Sequence, residues 1–131
     1  MKIVTRQQFL QMPAGTVFSK FPLKKEGDGR NLVFGIQPPI ILEEKPWEVG
    51  GGCIDFFCTE LGVSLFPKDR DIDYMDAMYL MSEEPGLEIE FDLSAGRDGL
   101  FEDENVGYMI YSREEVEEMI RELQRALNRA Y

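Results

Sequence analysis

The chain contains no histidine, only two cysteines and one tryptophan, and no apolar run approaching the length that spans a bilayer. Each absence removes a class of chemistry. Ser-His-Asp and Cys-His nucleophilic catalysis need an imidazole base near neutral pH, and common zinc sites use histidine or four cysteines, so none of these can be built here. Positive charge is also scarce. Fourteen Lys plus Arg stand against 25 Asp plus Glu, a formal charge of −11, and nucleic acid is therefore a poor direct partner because it would be repelled.

The two cysteines, Cys53 and Cys58, fall in one apolar segment read below as a strand. Their odd separation turns them to opposite faces about 16 Å apart. A disulfide needs Cα atoms within about 7 Å, so none is expected between them. Two reduced thiols fit a cytoplasmic protein better than a secreted one. The first residues agree, since Met1-Lys2-Ile3-Val4 runs directly into polar Thr5-Arg6-Gln7-Gln8, without the apolar core of a signal peptide. No membrane association is expected.

What is present is enough to fold. The 131 residues are 44% hydrophobic and 11% aromatic, too apolar for a disordered acidic tail and of a size suited to one domain over residues 1–131. Thr5 and Gln8 form a capping box for a short first helix, with Val4 and Phe9 in the positions of a hydrophobic staple. Thr16–Phe21 reads as a strand, Pro22–Arg30 as a polar glycine-containing hairpin loop and Leu32–Ile36 as a returning strand. Pro38-Pro39 makes Ile40–Leu42 an expected edge strand, because proline cannot donate to a central ladder.

Cys53–Thr59 is apolar at nearly every position and is expected to be the central strand, covered on both faces. Val63–Phe66 reads as a short strand, and Asp71 or Asp73 as the cap of a helix over Tyr74–Met81. Glu88–Leu93 alternates without exception, the clearest half-buried strand pattern in the chain. Gly96–Gly99 reads as a turn, and Val106–Tyr111 as a last strand. Ser112 with Glu115 caps a C-terminal helix whose stripe of Val116, Met119, Ile120, Leu123, Leu127 and Ala130 is expected to lie on the sheet. The order implies an α+β fold: one domain with an antiparallel sheet packed by a long C-terminal helix and one or two short helices.

Several motifs invite chemistry and do not complete it. Gly50-Gly51-Gly52 precedes a strand, whereas a phosphate-binding P-loop follows one and ends in Gly-Lys-Ser or Gly-Lys-Thr. Asp69, Asp71 and Asp73 have the spacing of the first ligands of a calcium loop, but the sixth position is Tyr74 and the twelfth Leu80. A capping cluster fits better than a metal site. Met75, Met78 and Met81 with Tyr74 and Tyr79 suit core filling more than an adaptable binding surface. Trp47 is a possible interface anchor. No cofactor is implied, and a carboxylate enzyme using magnesium is permitted but not required by any spacing.

The carboxylates form a row. On the expected Glu88–Leu93 strand, Glu88, Glu90 and Asp92 share one face at a spacing of about 6.6 Å, and Glu102, Asp103 and Glu104 follow in a loop. Such spacing is similar to that of phosphates along a nucleic-acid strand, which proteins read with Lys and Arg. Residues 69–118 hold 17 acidic and three basic side chains, while residues 1–42 hold six basic and two acidic ones. The acidity is thus concentrated, which favours a directed electrostatic surface over uniform solubilising charge.

Thr5-Arg6-Gln7-Gln8-Phe9-Leu10 and Pro13-Ala14-Gly15-Thr16-Val17-Phe18, together with the closing Arg97–Phe101 and Met109–Val116 segments, resemble the ends of small uncharacterised proteins encoded by bacteriophages and prophages. The resemblance covers about a third of the chain and implies a phage accessory gene, a class in which acidic inhibitors of host defence or nucleic-acid enzymes are plausible. The expectation is a non-enzymatic acidic protein that docks on a basic protein surface through Glu88, Glu90, Asp92, Glu102, Asp103 and Glu104. The alternative is a small-molecule or nucleotide binder using Lys20, Lys24, Lys25 and Arg30 near the glycines of residues 27–29 to hold a phosphate. Oligomeric state is not legible in the sequence.

Overall fold

In the computed structural model the described residues are 1–22, 37–50, 53–61, 67–69, 71–92, 96–100 and 106–131. They form β1 (Lys2–Val4), α1 (Arg6–Phe9), β2 (Val17–Pro22), β3 (Ile40–Leu42), β4 (Trp47–Val49), β5 (Cys53–Glu60), α2 (Tyr74–Glu83), β6 (Gly96–Leu100), β7 (Val106–Ile110) and α3 (Arg113–Ala130). Every strand pairing among them is antiparallel, which makes the domain α+β, with a long C-terminal helix and two shorter ones.

The sheet runs β1-β7-β2-β3-β5, with β4 and β6 also on β5. Because β6 takes one edge of β5 over Ile54–Cys58, β3 and β4 must share the other. Among the described residues the sheet is therefore six strands wide. Between the pairs Leu42–Cys58 and Trp47–Asp55, the β3–β4 side advances five residues while β5 advances three. This two-residue excess is a bulge that bends the sheet.

Side chains of alternate residues separate the two faces. On one lie Val4, Phe18, Ile40, Leu42, Ile54, Phe56, Cys58, Tyr108 and Ile110, all buried, and α1 drops Phe9 into their midst. The Phe9 ring stacks on Tyr108 at 4.0 Å and meets Phe18 and Phe56 edge-on at 4.9 and 5.9 Å. The capping box that starts α1 is closed in both directions, the Gln8 N–H donating to Thr5 Oγ1 and the Thr5 N–H to Gln8 Oε1. Gly15, at φ +89°, reverses the chain so that its N–H reaches the Leu42 carbonyl at 2.7 Å. The other face carries Ser19 and Asp55, both buried, with Ser19 Oγ 2.9 Å from Tyr111 Oη and Trp47 beside Phe57 at 5.4 Å. Cys53 and Cys58 are not joined by a disulfide, and their odd separation puts them on opposite sides of β5.

Four expectations are corrected. Ile40–Leu42 is an interior strand between β2 and β5, because Pro38 and Pro39 precede the ladder and no donor of theirs is needed. Gly96–Leu100 is a strand on β5, where a partner edge outweighs the local turn preference of its glycines. Of the expected Glu88–Leu93 strand, Leu93 lies outside the described residues, and among the described residues the pairing is the single bridge of Phe91 to Pro67. The α3 stripe meets the rest of the domain only at its base: Val116 and Met119 are half-buried, while Ile120, Leu123 and Leu127 are exposed. The Leu32–Ile36 and Val63–Phe66 strands and the Pro22–Arg30 loop beyond Pro22 lie outside the described residues. Among the described residues no helix is long and apolar enough to cross a membrane.

Candidate functional site

The acidic surface is built from α2 and the extended segment that follows it. Asp73 starts α2 with a reciprocal box, the Asp76 N–H donating to Asp73 Oδ1 at 2.8 Å and the Asp73 N–H to Asp76 Oδ2 at 3.4 Å. Asp69 Oδ1 accepts from the Asp71 N–H at 3.0 Å. These aspartates thus organise the entry to α2, as the capping interpretation expects. Among the described residues no three carboxylate or thiol side chains converge as cation ligands would.

After α2, Gly86 takes φ +96° and the chain returns to bridge Phe91 to Pro67. The Lys68 N–H donates to the Glu90 carbonyl at 2.9 Å, and Lys68 Nζ lies 3.3 Å from Glu90 Oε2. Along this anchored segment Glu88 and Glu90 are exposed, while Ile89, Phe91 and Asp92 are half-buried, so the alternation holds as far as Phe91. Lys68, Asp69, Ile72, Glu88, Ile89 and Glu90 line a shallow hollow of about 270 Å³. Three carboxylates and one ammonium make it acidic, and the one ion pair is exposed and so weakly held.

Methionine core filling holds only in part on α2, where Tyr74, Met78 and Met81 are half-buried and Met75 and Tyr79 are not. Only Ala77 of this helix is buried, Met75 is 71% and Tyr79 63% exposed, and Leu80 is also exposed. Met75 and Tyr79 are four residues apart and so share a face, with Asp76 and Glu83 beside them. Sequence reasoning missed these two as surface residues. The available signal was a ten-residue helix with apolar side chains nearly all round, more than one contact with a sheet can cover.

The remaining candidates separate. Glu102, Asp103 and Glu104 lie outside the described residues, as do Lys24, Lys25 and Arg30. Lys20 sits on β2 with its backbone paired to Tyr108, half-buried. Trp47 is half-buried against Phe57 rather than standing free. Of the α3 glutamates, Glu114, Glu117 and Glu118 are exposed, whereas Glu115 Oε1 accepts from the ammonium of Met1 and from the Ser112 N–H. Those two donors hold the Glu115 carboxyl below the usual carboxylate range. The structure therefore brings Glu88 and Glu90 together with Asp69, keeps Asp92 on the same segment, and adds Met75 and Tyr79 nearby in the chain.

No family model matches this chain, and no curated protein or solved structure matches it.

Proposed function

We propose that the protein is a non-catalytic acidic binding protein that docks on a basic protein surface through Glu88, Glu90 and Asp92. The observation that carries this reading is the exposure of Glu88 and Glu90 on a segment tied back to Lys68, where both residues line one shallow hollow with Asp69. Exposed Met75 and Tyr79 on the preceding helix supply apolar contact of the kind enriched at protein interfaces. The concentration of 17 acidic against three basic side chains in residues 69–118 adds the long-range field that steers a cationic partner.

The resemblance of the terminal segments to phage-encoded proteins supports a cytoplasmic partner among host defence or nucleic-acid enzymes, whose basic grooves the row of carboxylates would occupy. Direct contact with nucleic acid forms no part of this reading. The test is capture from a bacterial lysate by immobilised wild-type chain and by the Glu88→Lys, Glu90→Lys, Asp92→Lys triple variant. A basic protein retained by the wild type, released by salt and not retained by the folded triple variant is the expected result. Equal retention by both chains overturns the reading.

A further inference from the structure

We draw no further inference here: the strongest candidate, the exposed apolar stripe of Ile120, Leu123 and Leu127 on α3 with the hollow beside Val116 at its base, is an unpartnered face, and nothing in the structure shows what covers it.

Discussion

Phe9 shows how much of this fold rests on one side chain. It is fully buried, and its ring touches Phe18, Phe56 and Tyr108, which belong to three different strands. Phe9→Ala is expected to lower unfolding free energy by about 3–5 kcal/mol, measured by denaturant titration, because little else can collapse into the space. Its place was legible locally, since the staple of Val4 and Phe9 follows from the capping box. The burial of Asp55 follows from the apolar run Cys53–Thr59, whereas the pairing of that strand with both β4 and β6 was not legible, since nothing nearby in the sequence records it. Glu115 carries a pH signature. Its folded pKa lies below the ordinary value of 4.5, so its contribution is complete above that value and is lost as pH falls through the lower folded one. Thermal unfolding of Glu115→Gln is expected to change less between neutral and acidic pH than that of the wild type; parallel curves would contradict this.

Elements were read well where their signals are local and poorly where they need a partner. All three helix starts, at Thr5, Asp73 and Ser112, are closed by reciprocal boxes spaced as the sequence requires. Alternation in Glu88–Leu93 matches the exposure of Glu88 and Glu90 but not of half-buried Asp92, and among the described residues it yields only the Phe91–Pro67 bridge, because a period of two records which side is wet and not which strand lies beside it. Gly96–Leu100 is the converse, a strand made by the available edge of β5 rather than by its own composition. Asp73→Ala is expected to cost about 1 kcal/mol. The loss should appear as faster amide exchange in α2 with the sheet unaffected, since α2 contributes only Ala77 as a buried side chain.

At the scale of the molecule, the apolar core lies between α1 and one face of a bent antiparallel sheet, and the acidic segment after α2 and the apolar stripe of α3 are exposed. Charge asymmetry along the chain was fully legible, because it is a count. Where the carboxylates stand was only half legible, because it depends on the Lys68–Glu90 anchorage between segments about twenty residues apart. The acidic segment carries the central claim, and partner affinity against ionic strength tests it most directly. For the basic protein captured by the wild-type chain, the dissociation constant is expected to rise steeply with salt and to rise by at least about tenfold at low salt in the Glu88→Lys, Glu90→Lys, Asp92→Lys variant. An affinity indifferent to salt and unchanged in the folded variant would contradict the account.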